Sequence, residues 1–356
     1  MVTTRKPAKI AQVKKVKLTR IQKIKLSVKK RTDAYLARRP HRSFRRTRRR
    51  DYIRSLQLPG YWGFTTSVQK TLVQHKKIFL LLTLTYAILT GVMVGVASQD
   101  TYTSLTNVVH QTSGDLFSGG LGQIGQAGLL FLSAISGGIN GNLTNVQQVY
   151  AGIIILLAWL TTVWLLRNIL AGHKVKLRDG LYNASAPLLS TFLVAILLLV
   201  QLIPIAIAAL GFQAAQTTGL LNGGIEAMLF WLAAGILVLL SLYWITSTFI
   251  ALVVVTLPGM YPIEAIRTAG DLVIGRRIRI LLRMLWLGLS VVVLWVVVMI
   301  PIILFDSWLK GLLPVIQWLP IVPVIMLALS SITVIWAASY IYLLYRRIVS
   351  DDSDPA

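Results

Sequence analysis

Cysteine is absent from this sequence, and histidine and acidic residues are scarce: the 356 residues include four His and 12 Asp and Glu. Without thiols the chain can form no disulfide, no thiolate metal site and no cysteine nucleophile. The histidines are scattered at positions 41, 75, 110 and 173, without the close spacing of zinc ligands. We therefore expect a protein that holds no metal and no other cofactor.

Charged residues are also scarce for a soluble protein. They make up 13% of the chain, 55% is hydrophobic and the mean hydropathy is +0.70, whereas soluble domains carry about 25% charged residues. Apolar stretches long enough to cross a bilayer, about 20 residues each, occur six times. The sequence predicts an all-α, polytopic integral membrane bundle with six transmembrane helices. The predicted spans cover about 78–98, 149–166, 187–210, 226–257, 284–304 and 321–345, within a transmembrane domain of residues 78–349.

Ionisable side chains are missing from the middle of every predicted span. Glu226 and Asp306 lie at span ends, and Gln201 is the most polar residue well inside one. Proton-coupled transporters need titratable groups within the membrane, and hydrolytic sites need paired carboxylates. These absences argue against both classes and predict a protein without catalytic activity.

Basic residues are concentrated at the N-terminus. The first 77 residues contain 24 of the 36 Lys and Arg and two of the 12 acidic residues, a net charge of +22. The loops and the C-terminus on the same side of the predicted bundle hold the remaining Lys and Arg, apart from Lys310. Because cytoplasmic segments are enriched in Lys and Arg, the sequence predicts a cytoplasmic (plasma) membrane protein with both termini in the cytoplasm.

The longest segment on the opposite side, residues 99–148, contains no Lys or Arg and is rich in Gly, Ser, Thr, Asn and Gln. Its apolar part, residues 127–139, is too short for a span. We expect this part to be re-entrant or to lie on the membrane surface. At the C-terminus, residues 350–356 form a short acidic end.

Residues 58–77 connect the basic tail to the first span. After the Pro59-Gly60 turn, aromatic and apolar residues recur at near-helical spacing among lysines. This pattern predicts an interfacial amphipathic helix, anchored in the bilayer surface by Tyr61, Trp62 and Phe64.

The first span also contains a pair of small residues at helical spacing. Gly91 and Gly95 form a GxxxG pattern, which lets two helices approach closely. The pattern predicts helix packing within the bundle.

The basic tail, residues 1–57, is predicted to be disordered or surface-helical. Residues 10–28 mix apolar groups with cations, including Lys14, Lys15 and Lys17, at a spacing that fits either a helix or a strand. Residues 38–50 have almost no apolar content, and eight of these 13 residues are arginine, whose fork suits phosphate groups. The candidate phosphate contacts there are Arg38, Arg39, Arg45, Arg46, Arg48, Arg49 and Arg50. Three interpretations stay open: binding of anionic phospholipid headgroups, binding of ribosomal or other RNA, and a tail that only orients the protein.

Two loops on the basic side share a sequence pattern. Asp179 and Glu264 are each followed by a small residue, an apolar residue, two variable residues and alanine. An acidic residue near a helix start complements the helix dipole, so the pattern predicts a weak internal repeat of helical hairpins, each with a short amphipathic helix. Further candidates for contacts in the second loop are Gly270, Arg276, Arg277 and Arg279.

The stretches around these loops carry a family resemblance. They read RNILAGHKVKLRDGLYNA from Arg167 to Ala184 and PIEAIRTAGDLVIGRRIRI from Pro262 to Ile280. Over about residues 150–345 the chain resembles the membrane domain of glycerophosphodiester phosphodiesterases and of related uncharacterised multi-pass bacterial proteins. In the enzymes of that group catalysis belongs to a separate soluble domain. The resemblance therefore implies a membrane-embedded bacterial scaffold and carries over no catalytic residue.

A second resemblance supports an alternative. Glu264-Ala265-Ile266, with Gly270 six residues after the glutamate, is similar to the EAA loop by which permease subunits of ABC transporters dock on a cytosolic ATPase. Our leading hypothesis is a scaffold in the lipid bilayer whose tail binds anionic lipid or ribosomal RNA. The alternative is a permease subunit that contacts an ATPase through residues 264–270.

Overall fold

The structure is a computed structural model that describes residues 58–94, 144–312 and 319–353, apart from a few side chains. These residues belong to a compact unit that runs from Arg54 to Ala356. Within them every regular element is a helix. The α-helices are α1 (Tyr61–Gln74), α2 (Lys76–Met93), α3 (Asn145–Leu170), α4 (Leu177–Ala184), α5 (Leu188–Thr217), α6 (Gly224–Val254), α7 (Pro262–Val273), α8 (Arg277–Leu312) and α9 (Ile321–Ser353). A 3₁₀ turn, Leu220–Asn222, joins α5 to α6.

Six of these helices are long and apolar enough to cross a membrane: α2, α3, α5, α6, α8 and α9. The described part of the chain thus confirms an all-helical protein with six candidate membrane-spanning helices, as predicted. The helices extend beyond several predicted spans. The clearest case is α8, whose 36 residues correspond to about 54 Å at 1.5 Å per residue. Its charged first two turns, residues 277–283, and its last turns, residues 305–312, both continue the helix beyond the predicted apolar span.

The centre of the bundle is formed by α9 and α3. Helix α9 contacts α1, α2, α3, α6 and α8. Its inward face carries Tyr340, Leu344 and Ile348, which recur every four residues and are fully buried, as expected for one face of a helix. Within the most apolar 18 residues of each helix, the buried share is 50% in α3 and 44% in α9 but only 11% in α5 and in α6. The most apolar stretches of the α5–α6 hairpin are therefore largely exposed, where a membrane protein meets lipid, whereas the last turns of α6, residues 250–254, are buried in the core.

Buried polar side chains join neighbouring helices. The Tyr86 hydroxyl of α2 lies 2.7 Å from the Thr161 hydroxyl of α3. In the α5–α6 hairpin, the Thr248 hydroxyl donates to the Gln201 side-chain oxygen at 2.7 Å, and the Ser241 hydroxyl donates to the Gln201 backbone carbonyl at 2.7 Å. The most polar residue inside a predicted span is therefore a link between two helices.

Gly91 lies where α2 packs against α9. A methyl group added at this position would lie 3.5 Å from the Leu327 side chain, which is ordinary contact distance. The second glycine of the GxxxG pair, Gly95, and the apolar stretch 127–139 lie outside the described residues.

Candidate functional site

The cationic side chains of the described residues gather at one end of the bundle. Two arginines tie the helix ends together there: Arg167 of α3 donates to the Thr256 carbonyl just after α6 at 3.0 Å, and Arg276, just before α8, donates to the Ile348 carbonyl in α9 at 3.2 Å. We call this region the basic end. Among the Lys and Arg that the structure describes, the exception is Lys310, which lies near the opposite, C-terminal end of α8.

Helix α1 docks on the basic end through Arg283. This residue of α8 is 7% exposed. Its guanidinium donates to the Pro59 carbonyl and lies 4.3 Å from the centre of the Tyr61 ring. A buried guanidinium thus holds the turn that precedes α1, since it satisfies the carbonyl and stacks on the aromatic ring.

Aromatic residues complete the docking of α1. The Trp286 indole NH donates to the Thr65 hydroxyl at 3.1 Å, and the Trp62 ring meets the Trp286 ring edge-on at 5.1 Å. The Phe64 ring packs edge-on against Tyr340 of α9 at 4.8 Å.

The three predicted anchors of α1 are not equivalent in the structure. Phe64 is 2% exposed, whereas Tyr61 is 40% and Trp62 is 72% exposed. Phe64 therefore contacts protein, Tyr61 is shared between Arg283 and the surface, and Trp62 presents most of its ring outward. Interfacial anchoring stays a prediction, and Trp62 is the side chain best placed for it.

The two predicted short helices of the basic side are present as α4 and α7. They occupy equivalent positions in the chain, because α4 follows α3 and α7 follows α6. Both bury small residues four apart: Gly180 and Ala184 in α4, and Ala265 and Ala269 in α7. The shared pattern of acid, small residue and alanine thus reflects a shared packing mode, in which a short helix packs against the long helix that precedes it.

Close approach explains the glycine of α4. A methyl group added at Gly180 would lie 2.9 Å from Leu165 Cδ2 and 3.4 Å from Thr161 Cγ2, both in α3. Since Leu165 is fully buried, it has little room to move. Only glycine fits at this position without a shift of the Leu165 side chain or of one of the two helices.

The two acidic residues of the pattern differ in their contacts. Asp179 accepts a hydrogen bond from the Lys176 backbone NH at 3.2 Å, which caps the first turn of α4. Glu264 is exposed in the first turn of α7, and that helix starts at Pro262 without a side-chain cap. Gly270 lies near the end of α7 with open space around its α-carbon.

The arginines predicted to make contacts in the second loop have different surroundings. Arg276 is 2% exposed and lies inside the basic end. Arg277 stacks on the Tyr243 ring at 3.8 Å and donates to the Tyr243 carbonyl at 3.1 Å. Of the three, Arg279 is the exposed one and is free to face headgroups or a partner.

The periodicity of α8 explains which arginines are buried. Arg276, Ile280, Arg283 and Leu287 are buried, and they follow one another at intervals of four, three and four residues, the spacing of one helical face. The span predicted from the sequence starts at residue 284 and therefore excludes most of this buried face. When the helical periodicity is continued back to residue 276, the sequence predicts that Arg276 and Arg283 face inward.

An ion pair lies away from the basic end, in the last turns of α8. Asp306 is fully buried, and its Oδ2 accepts from Lys310 Nζ at 2.8 Å across one helical turn. The sequence places Asp306 at a span end, but α8 continues to Leu312, so the carboxylate lies within the helix. The i, i+4 spacing of Asp and Lys is a signal of this pair.

Among the described residues there is no group of three His, Asp or Glu side chains close enough to hold a metal ion. The candidate phosphate contacts of the tail lie outside the described residues: Lys14, Lys15, Lys17, Arg38, Arg39, Arg45, Arg46, Arg48, Arg49 and Arg50.

No family model, curated protein or solved structure matches this chain. The two family resemblances therefore stay predictions.

Proposed function

We propose that the protein is a non-catalytic scaffold of the cytoplasmic membrane, with both termini in the cytoplasm and a basic tail that binds anionic lipid. The orientation is supported by the gathering of cations at the basic end, because the positive-inside rule assigns this end to the cytoplasm. A single cysteine in place of Ser350 tests it, since the chain has no other cysteine. A membrane-impermeant maleimide should label this variant in inverted vesicles. Labelling only in right-side-out vesicles would contradict the proposed orientation.

The observation that carries the scaffold proposal is how buried charges are used. Arg276 and Arg283 donate to backbone carbonyls of other segments, and Asp306 pairs with Lys310. Ionisable groups inside membrane proteins mark substrate or proton paths when they line a cavity. Here their contacts join helix ends, turns and successive helical turns, which is what a structural role requires.

The site where the tail joins the bundle supports lipid as its partner. Leu58 packs against the core, and the Pro59 carbonyl is held by Arg283. Arg50 precedes Leu58 by eight positions, and an extended chain covers at most about 3.5 Å per residue, so the chain length limits Arg50 to within about 28 Å of this point. This reach allows the tail arginines to approach the bilayer surface, and each arginine that lies within about a Debye length of an anionic surface contributes about 1 kcal/mol.

A label in the tail tests the lipid proposal. A fluorophore on Ser43→Cys, in the full-length protein in nanodiscs, reports its distance from a quencher attached to lipid headgroups. We expect strong quenching in phosphatidylglycerol and weak quenching in phosphatidylcholine. The difference should disappear when the five arginines between positions 45 and 50 are replaced by glutamine.

Ribosomes are the competing partner in this experiment. RNA would replace lipid as the proposed partner of the tail under two conditions. The nanodiscs would sediment with ribosomes and lose this property in the five-arginine variant, and phosphatidylglycerol would give no selective quenching. No response to either would leave the tail with an orienting role.

A permease subunit is the second candidate, favoured by the surface of α7. Glu264 is exposed, and a methyl group added at Gly270 would meet no atom within 4 Å, so both positions leave room for a docked protein. The test is purification in mild detergent. Co-purification of an ATPase that is lost on Glu264→Arg, but kept on the matched charge reversal Glu226→Arg in the exposed first turn of α6, would overturn the scaffold proposal.

A further inference from the structure

A groove of about 530 Å³ opens on the side of the bundle that bears α1 and α2. One wall is the inside of the elbow between these two helices, and the other is formed by α8 and α9. The lining residues used below are Gln69, Lys76, Leu80, Thr83, Leu84 and Ile332.

The groove has one charged end. Lys76, the first residue of α2, is its charged lining residue, and no carboxylate lines it. The other lining side chains are apolar except Gln69 and Thr83. A cation at the start of a long apolar groove matches the polarity of a lipid with an anionic head and a hydrocarbon chain.

The length of the groove matches one leaflet. Along α2 it reaches from Lys76 to Ala87, and eleven residues at 1.5 Å per residue cover about 16 Å. The hydrocarbon core of a bilayer is about 30 Å thick, so the groove covers about half of it. It starts at the N-terminal end of α2, at the level where the lysines of that helix meet headgroups.

We propose that this groove binds an anionic phospholipid, with one acyl chain between α2 and α9 and the phosphate at Lys76. The proposal deepens the scaffold function and rests only on its membrane placement, because it is argued from residues of α1, α2, α8 and α9. Ordinary boundary lipid differs from such a site in two ways: it does not select the headgroup, and it is insensitive to the shape of the groove.

Photo-labelling of the full-length protein in nanodiscs tests the site. The probes are phosphatidylglycerol and phosphatidylcholine with the same diazirine-bearing acyl chain, and the readout is the amount of lipid attached to the peptides that contain Leu80 and Ile332. We expect several-fold stronger labelling by phosphatidylglycerol. Equal labelling by both lipids would overturn the proposal.

Two pairs of variants locate the lipid. Leu84→Trp fills the groove, whereas Leu81→Trp is its control, because both leucines are about half-exposed on α2, at 51% and 49%, and only Leu84 lines the groove. We expect Leu84→Trp to abolish the selective labelling and Leu81→Trp to preserve it. Labelling that survives Leu84→Trp would contradict the position of the chain.

The second pair tests the phosphate contact. Lys76→Gln should reduce labelling by phosphatidylglycerol about fivefold, the factor expected from one basic residue near an anionic surface. Lys77→Gln removes the same charge from an exposed neighbour that does not line the groove and should have a much smaller effect. Equal losses would show that general surface charge, and no site, attracts the lipid.

The tail variant separates this proposal from the function of the tail. Replacing the five arginines between positions 45 and 50 by glutamine should leave the groove labelling unchanged. A loss of labelling in this variant would overturn the groove as a site of its own, whereas a failure of the tail to bind lipid leaves the groove labelling as expected.

Discussion

Arg283 offers the sharpest test of how α1 is held against the bundle. Replacement by methionine keeps an unbranched apolar stem and removes the guanidinium that contacts the Pro59 carbonyl and the Tyr61 ring. A hydrogen bond from a charged donor contributes about 1.5–3 kcal/mol, and a cation–π contact adds about 0.5–1 kcal/mol. Burial of the charge opposes these gains, although arginine is more weakly hydrated than lysine.

The balance of these terms is a net loss of about 2 kcal/mol in the docking of α1. Other contacts of α1 persist in the variant, including the packing of Phe64 on Tyr340, so the helix should open locally while the bundle stays folded. A loss of this size increases the equilibrium constant for opening about 30-fold. We therefore expect backbone amides of residues 61–74 to exchange with deuterium about 30 times faster.

Hydrogen–deuterium exchange with mass spectrometry measures this effect on the purified protein. The control is Arg279→Met, the same substitution at an exposed arginine one turn earlier on α8, which should leave the exchange of residues 61–74 unchanged. Unchanged or slower exchange in Arg283→Met would refute the reasoning. It would mean that the cost of burying the guanidinium equals or exceeds the contributions of its contacts.

Two further predictions concern thermal stability in detergent, read as the Tm of the folded protein. Gly180→Ala should lower the Tm, because the added methyl meets Leu165 at 2.9 Å and overpacking costs about 1–3 kcal/mol. Gly270→Ala, where the added methyl meets no neighbour within α7, should raise the Tm slightly, since alanine stabilises a helix by about 0.5–1 kcal/mol relative to glycine. Equal effects of the two substitutions would contradict the packing of α4. Thr248→Val should cost about 0.6 kcal/mol, the mean for hydrogen bonds between membrane helices, through loss of the bond to Gln201; a cost above about 2 kcal/mol would indicate a larger polar network.

Much of the architecture follows from local properties of the sequence. Apolar stretches about 20 residues long predict the six candidate spans, because hydropathy and length are summed over neighbouring residues. The short helices α4 and α7 follow from the same kind of pattern, an acid near the start and small residues four apart. The site is predicted less completely. The sequence identifies the arginines of the second loop as a group, but it does not separate exposed Arg279 from buried Arg276.

The sequence by itself determines the class of the protein, the number of candidate spans and the asymmetry of charge between the two ends of the bundle. The tertiary structure decides which cations face inward. Arg283 meets Pro59 across 224 residues of chain, and Arg276 meets Ile348 across 72. Such pairs leave no signal in a local window, because they depend on which helix ends meet when the bundle packs. The polarity of the groove beside α2 has the same origin, since Lys76 and Ile332 become opposite walls only when α2 lies against α9.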